Sequence, residues 1–381
     1  MRIIVFANTV HTNTLTGGDR IFAECAKRWI AGGHTVRIVT NEVGAVYCRN
    51  LGVAGSAIMA WSASWSDAGG VYIAMSVKAI LSALRAVPFA FRKTDIAFAS
   101  SFFVPDLLPA FFLKLTNARA TFAAACYLFS TEPWGRDYSG GRLKGLLFFL
   151  NEKIAFLLLK KFGGVVLTAS EFDRTQFIRS QHFPARRVRA LRGGVDTAFF
   201  QSVPKPRIKY DAVFVGRFHP QKCVDELIQI WKLVVEIDKK RTLALVGGGP
   251  LETKLRQLVR AHKLEKNILF LGLQDGEEKT KILKSSLLFV SASRYDSGNI
   301  ALDEAMACGT PGVVYDLSRL HYPQGVMKVP VGNQTKFAKA VYALLTQEDK
   351  RKNLAQDALA FAYTLDWEKK ARELLTFLKP Q

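Results

Sequence analysis

Short runs rich in β-branched and aromatic residues alternate with runs of helical periodicity, and the alternation occurs twice along the chain. In the first half RIIVFA (2–7) reads as a strand, DRIFAECAKRWIAG (19–32) as a helix and HTVRIVT (34–40) as the next strand. That β-loop-α-β order predicts a parallel, doubly wound sheet. Further strands are expected at 96–100, 121–127 and 165–170. After a turn in RVRALRGGVDTAFF (187–200), Pro204, Pro206 and a basic run to Lys209 read as a linker. The second set starts at YDAVFVGRF (210–218) and continues through the helix ELIQIWKLVVEI, the strand TLALVG (242–247), a helix after GGGP, the strand ILFLGL (268–273) and SSLLFVSAS (285–293). Two Rossmann-like domains follow, and such domains bind ligands at the carboxyl ends of their strands.

Length agrees, since 381 residues exceed what one core usually serves. An apolar content of 49% excludes disorder. The most apolar stretch, LLFFLNEKIAFLLL (146–159), carries Asn151, Glu152 and Lys153 at its centre and makes a poor membrane span. MRIIVFANTV lacks the longer apolar region and cleavage site of a signal peptide and reads as a first strand. Five scattered cysteines without CxxC spacing predict neither a disulfide framework nor a zinc site, as in a reduced, cytoplasmic protein. The net charge of +21 is spread over both halves and favours anionic partners.

The chemistry concentrates in YDSGNIALDEAMACGTPGVV, where Asp296 and Glu304 lie eight positions apart. A buried strand precedes them, so the segment reads as strand, tight loop and helix N-terminus. Free N–H groups and the positive dipole end there suit a phosphate or a polar sugar. Two carboxylates beside such a site accept hydrogen bonds from hydroxyls, which points to a sugar nucleotide. Two other loops fall at strand ends. GRFHPQK offers Arg217 and Lys222, a planar fork and a compact charge for phosphate oxygens. Gly247-Gly248-Gly249-Pro250 reads equally as a close-approach site and as a plain tight turn.

With these residues in this order the chain resembles glycosyltransferase family 4, retaining enzymes of the GT-B fold. The family's Glu, seven residues, Glu and Ala-Met-Ala-x-Gly-x-Pro are matched by Asp296, Glu304 and Ala305–Pro311. Its Gly-Arg-x-x-x-x-Lys is matched by Gly216, Arg217 and Lys222, and its Gly-x-Gly-Pro by Gly247–Pro250. Gly17-Gly18 corresponds to the glycine loop after strand one, and Gly193–Asp196 resembles the family's Asn-Gly-Val-Asp.

The resemblance implies an α/β, GT-B architecture with two Rossmann-like domains facing across a cleft. An acceptor-binding domain spans 1–203, a donor-binding domain spans 204–363, and a C-terminal helix at about 364–381, including DWEKKARELLTFL, crosses back onto the first. It implies transfer of a sugar, with retention, from a UDP- or GDP-linked donor to a glycan or lipid-linked acceptor in envelope or surface polysaccharide synthesis. No cofactor is implied. Arg217 and Lys222 would neutralise the leaving diphosphate in place of a metal, and the chain has no Asp-x-Asp pair to hold one. Fixed cations aimed at the departing charge would stabilise the transition state by several kcal/mol, to order of magnitude. Asp296 would contact donor-sugar hydroxyls and Glu304 the ribose. Backbone groups around Ser297, Gly298, Asn299, Ile300 and Ala301, with Gly216 and Gly248, would line the donor, and Gly17 and Gly18 would face its phosphate. Two departures stand out. Asp296 replaces the family's commoner Glu, shortening the reach by about 1.5 Å, and no His stands near Cys126-Tyr127, where the family often has one. His11, in the loop after strand one, is assigned no role.

Residues 68–94 lack any acid, and 142–162 mixes Lys144, Lys153, Lys160 and Lys161 with Leu and Phe. Both predict helices that lie on an anionic membrane surface, placing the protein at the inner face of the membrane, in preference to helices that merely pack on the sheet. Two other classes remain beside the transferase: a non-catalytic sugar-nucleotide or anion-binding relative, and a dinucleotide-dependent oxidoreductase or epimerase. The latter needs Gly-x-Gly-x-x-Gly directly after a strand, which neither glycine loop supplies. Trp and Tyr are not interleaved with basic residues as a nucleic-acid surface requires.

Overall fold

A computed structural model describes residues 1–10, 17–61, 81, 84, 87–88, 93–127, 142–296 and 298–379. It divides into two compact units, Met1–Gly193 with Trp367–Gln381, and Gly194–Asp366.

The first unit holds a seven-stranded sheet in the order β3-β2-β1-β4-β5-β6-β7, every neighbouring pair parallel. The strands are β1 (Arg2–Ala7), β2 (Thr35–Asn41), β3 (Ile58–Trp61), β4 (Ile96–Ala99), β5 (Thr121–Ala125), β6 (Val165–Thr168) and β7 (Val188–Ala190). β1, β4 and β6 are near-continuous apolar runs because helices cover both faces of a parallel sheet. On one face lies α1 (Gly17–Ala31), whose Phe22, Ala26 and Trp29 meet Ile3, Val5 and Ile38. Helices α3 (Val104–Thr116) and α4 (Arg142–Lys161) cover the other through Leu107, Leu113, Phe156 and Leu159. A short helix, α2 (Glu42–Asn50), follows β2 directly.

The second unit holds six parallel strands in the order β10-β9-β8-β11-β12-β13. They are β8 (Tyr210–Val215), β9 (Leu243–Val246), β10 (Ile268–Gly272), β11 (Ser286–Ser291), β12 (Gly312–Tyr315) and β13 (Val326–Val329). In both sheets the first strand in sequence lies inside and the order reverses beside it, as in a Rossmann fold. The expectation of two such domains holds. So does the returning C-terminal helix, α13 (Trp367–Leu378), which belongs to the first unit. Its Trp367, Leu374 and Leu378 enter the core beneath α1. Trp29 Nε1 donates to Ala371 O at 2.9 Å, and Arg28 pairs with Glu368 at 3.1 Å.

Residues 195–203, placed before the linker by the sequence reading, are tied to the second unit. Val195 N–H donates to Leu365 O at 3.0 Å, Thr197 Oγ1 to Asp366 at 2.5 Å, and Gln201 Nε2 to Ala307 O at 2.7 Å. Val203 O accepts from the buried Lys284 ammonium.

Candidate functional site

Because β9, β8 and β11 are parallel neighbours, the loops leaving their carboxyl ends emerge side by side on one edge of the second sheet. The loop after β8 carries Gly216 and Arg217, then one 3₁₀ turn, Pro220–Lys222. It is stitched to the loop after β9: Gly216 N–H donates to Val246 O at 3.0 Å, and Phe218 N–H to Gly248 O at 2.8 Å. A Cβ on Gly247 would lie 2.0 Å from Gly216 O, and one on Gly249 2.6 Å from Phe218 O. Both residues have positive φ, 139° and 152°. The close-approach reading of this loop therefore applies at Gly247 and Gly249, where backbone meets backbone. A Cβ on Gly248, the position expected to line the donor, would meet nothing nearer than 3.7 Å.

The loop after β11 closes onto the same place. Ser293 Oγ donates to Gln221 O and to Tyr295 O, at 3.0 and 2.8 Å. Asp296, 7% exposed, accepts from Lys222 Nζ at 2.6 Å through one oxygen. Its other oxygen accepts from the N–H groups of Gly298 and Asn299, at 3.4 and 3.1 Å. This carboxylate thus folds its own loop as well as holding the lysine. Asn299 then caps α10 (Ile300–Ala307) by accepting from Leu302 N–H. Among the described residues the N–H groups of Ile300 and Ala301 make no hydrogen bond, so the helix N-terminus keeps two donors for a ligand. Ser297 lies outside the described residues.

Glu304 sits one turn into α10 and is 3% exposed. It is held by Lys279, from α9 (Gly276–Lys284), at 3.1 Å to Oε1 and 2.9 Å to Oε2. Burial would pull the Lys279 ammonium down, but Glu304 and then Asp275 outweigh it and hold it above its ordinary range. Arg217 is exposed and makes no ion pair among the described residues. The structure thus brings Lys222, Asp296, Glu304 and the helix N-terminus to the strand ends that also carry Arg217 and Gly248.

Sequence reasoning passed over a second polar cluster. Glu226, in the first turn of α7 (Val224–Ile237), accepts from Arg294 Nε and Nη2 at 2.8 and 3.1 Å, and from Tyr315 Oη at 2.6 Å. Burial would raise the Glu226 carboxyl, but these donors hold it below its usual range. An open cavity of about 640 Å³ borders Arg294 and Glu226 and contains none of the predicted site residues. The cluster's evident effect is to anchor Arg294, two residues before Asp296. Its members lie 68 and 89 residues from Glu226 in sequence, so spacing gave no signal.

In the first unit, Gly17 and Gly18 open α1. A Cβ on Gly18 would meet the Tyr127 ring at 2.8 Å, which explains the glycine by packing alone. Cys126 is buried at the end of β5. His11 lies outside the described residues. The carboxyl ends of β1 and β4 converge on Asp106, a fully buried acid in the first turn of α3. It accepts from Asn8 N–H at 2.5 Å, Ser101 Oγ at 2.6 Å, Thr9 Oγ1 at 2.7 Å and Ser100 Oγ at 3.2 Å. Burial nevertheless dominates and pushes its carboxyl up to about 6. A raised folded pKa means stability that is complete below the unfolded value and is lost as pH rises through the folded one. Relative to Asp106→Asn, the wild type is expected to lose a few kcal/mol between about pH 4 and pH 6 and to change little above. Urea melts across that range test it. A constant difference between the two proteins would refute it.

Residues 195–360 match the family model for glycosyl transferases group 1. The match lies within the second unit and spans most of it. Relatives include N-acetyl-alpha-D-glucosaminyl L-malate synthase of Bacillus anthracis, 32% identical over 157 residues, 40% of each chain. Phosphatidyl-myo-inositol mannosyltransferase of Mycobacterium leprae is 29% identical over 192 residues, 48% of this chain and 50% of that one. The chain spans about half the length, or less, of these curated relatives. Solved structures cover 99% of it: Anabaena Alr3699/HepE in complex with UDP and glucose, at 15% identity and TM-score 0.73, and TarM, at 13% and 0.74. At such identities they show the fold, which is GT-B. The expected GT-B fold is borne out. None of the described groups of His, Cys, Asp and Glu could hold a metal ion.

Proposed function

We propose that this chain is a retaining glycosyltransferase that moves a sugar from a nucleoside diphosphate to a glycan or lipid-linked acceptor. The observation that carries the reading is the Lys222–Asp296 pair, 2.6 Å apart between a helix N-terminus and an exposed arginine. Departure of a nucleoside diphosphate concentrates negative charge on its β-phosphate. Lys222 and Arg217 supply fixed cations there and the α10 N-terminus supplies N–H donors, so the charge is stabilised without a metal. When the donor arrives, Lys222 exchanges a carboxylate for a phosphate oxygen, and Asp296 becomes available to the sugar hydroxyls. The departing phosphate oxygen takes the acceptor's proton on the same face of the sugar, which retains configuration and needs no separate base. The second unit is the donor domain and the first the acceptor domain. A uridine nucleotide is the first donor to try, since HepE binds UDP and glucose.

The test is incubation of the protein with UDP-, GDP- and ADP-sugars in the presence of chelator, following nucleoside diphosphate release. At least one donor is expected to be bound and cleaved; failure with all three classes would remove the reading.

The acceptor is proposed to lie in or on a membrane. Helix α4 buries Phe156 and Leu159 and leaves Leu150, Ile154 and Leu157 47%, 55% and 64% exposed. These three lie at i, i+4 and i+7, one stripe, and the exposed Lys160 and Lys161 end it. An apolar stripe beside lysines suits an anionic lipid surface. No helix among the described residues is long and apolar enough to cross a membrane. The companion expectation at 68–94 falls almost wholly outside those residues. Changing Leu150, Ile154 and Leu157 together to Ser is expected to cut sedimentation with anionic vesicles by about tenfold or more. Wild-type pelleting that is equal on neutral and anionic vesicles would remove the electrostatic part.

A further inference from the structure

We propose that the hydroxyls of Thr9 and Ser101, beyond the carboxyl ends of β1 and β4, form an acceptor subsite that takes a neutral, hydroxyl-donating sugar ring and rejects an anionic one, with Asp106 as the positioning residue beneath them. The inference rests on the sugar-transfer reading above and deepens it by naming the acceptor's chemistry. No residue of the donor site takes part.

The topology of the first sheet sets the place. β1 and β4 are parallel neighbours, paired from Ile3↔Ile96 to Phe6↔Ala99, and the chain leaves them in opposite directions, β1 towards β2 and β4 towards β5. Where strand order reverses in this way, adjacent loops part and leave a crevice that ligands of such sheets use. Thr9 and Ser101 each stand two residues beyond their strand, partly exposed, with their hydroxyl oxygens 3.2 Å apart. The backbone around them is held in place. Asn8 Nδ2 donates to Pro105 O at 3.0 Å, Trp61 Nε1 to Asn8 Oδ1 at 2.8 Å and Asn41 Nδ2 to Val10 O at 2.7 Å.

Asp106 supplies the direction. Its Oδ2 accepts from Ser101 Oγ at 2.6 Å and from Thr9 Oγ1 at 2.7 Å, while its Oδ1 accepts from Asn8 N–H. Burial lifts this carboxyl to about 6, so at pH 8 it is ionised and gives no proton back. Each hydroxyl has one proton, and each commits it to Asp106. Ser101 Oγ also accepts from Phe103 N–H at 3.2 Å. Towards solvent the two oxygens therefore offer lone pairs and no donor, above a buried negative charge. A sugar hydroxyl, which can donate, is held there. A carboxylate or phosphate, which only accepts, meets lone pairs and repulsion. Of the four donors to Asp106 among the described residues, Asn8 and Ser100 are buried, whereas Thr9 and Ser101 reach the surface.

The experiment is titration of the full chain at pH 8, followed by saturation-transfer NMR, with paired methyl glycosides in the presence of UDP, GDP or ADP. The pairs are glucoside against glucuronide and galactoside against galacturonide. Methyl glycosides carry no lipid chain, so the stripe on α4 adds nothing to their binding. The wild type is expected to bind a neutral glycoside about tenfold or more tightly than its uronide partner. Thr9→Val should weaken that binding about 3–10-fold, which places it in the first unit and not at the donor sugar. Asp106→Asn reverses the direction of the network. Its Oδ1 still faces Asn8 N–H, so an amide nitrogen replaces Oδ2 and donates to the two hydroxyls, whose own protons turn outward. The uronide is then expected to gain about tenfold relative to its neutral partner. A melting curve accompanies each variant, and Thr9→Val, which keeps the buried acid, carries the test where Asp106→Asn does not fold. Equal binding of both members of each pair by the wild type overturns the inference, as does nucleotide binding without any glycoside binding. Unaltered affinity in a folded Thr9→Val, or unaltered preference in a folded Asp106→Asn, overturns it too. Absence of all nucleotide binding by the wild type would instead overturn the sugar-transfer reading beneath it.

Discussion

Replacing Lys222 by Met is expected to lower turnover by about 10²–10³-fold while the protein still binds its sugar nucleotide. The proposed mechanism gives the lysine two successive partners. At rest it neutralises Asp296, a carboxylate 10% exposed at its side chain and also engaged by two loop N–H groups. On the proposed mechanism its charge then faces the phosphate that leaves. A compact, pre-placed cation is worth most in the transition state, where charge has accumulated on that oxygen, so kcat falls more than the donor KM rises. Lys222→Met also leaves Asp296 buried without its cation, so a melting curve must accompany the kinetics. The companion variant Lys222→Met/Asp296→Asn removes that stray charge and should be as inactive but more stable. A folded Lys222→Met that turns over within about threefold of wild type would take the lysine out of the reaction.

The second large effect is structural. Gly247→Ala is expected to unfold the second unit or to cost more than about 4 kcal/mol, because its Cβ would sit 2.0 Å from a backbone oxygen at a φ of 139°. Nothing flexible can yield: the oxygen belongs to Gly216, at the end of the next strand. Gly248→Ala, one residue on, meets nothing nearer than 3.7 Å and should fold as the wild type does. Any loss it shows would appear in donor affinity. Chemical denaturation of the two variants side by side decides this. A Gly247→Ala protein with wild-type stability would show that the loops can separate without penalty.

That pair of glycines also shows where sequence reasoning reached its end. The Gly-Gly-Gly-Pro run was legible as special, but which residue is crowded and which is open depends on a strand thirty residues earlier. The strands that could be read, such as β1, β6 and β8, are long enough or buried enough on both faces to stand out as apolar runs. β3, β7 and β13, at sheet edges, escaped notice because they are three or four residues long and partly exposed; Arg189 sits in the middle of one of them. Helix α3, which the sequence reading did not place, carries two prolines, and Pro105 sits in its first turn, where the missing N–H costs nothing. The carboxylates of the site were legible because Asp296 and Glu304 share one short segment. Their cations were not equally so: Lys222 came with a motif, whereas Lys279 lies 25 residues upstream and is identified only by its burial.

The C-terminal helix has a consequence for the order in which this molecule can be made. Gly194–Asp366 is one unbroken stretch of chain and has all its strands before the last helix is synthesised. The first unit has no such independence, because Trp367, Leu374 and Leu378 fill the space beneath α1 and arrive last. On the ribosome the half that begins first is therefore the half that finishes second. A frameshift or nick near residue 366 would leave the second sheet intact and uncover the floor of the first.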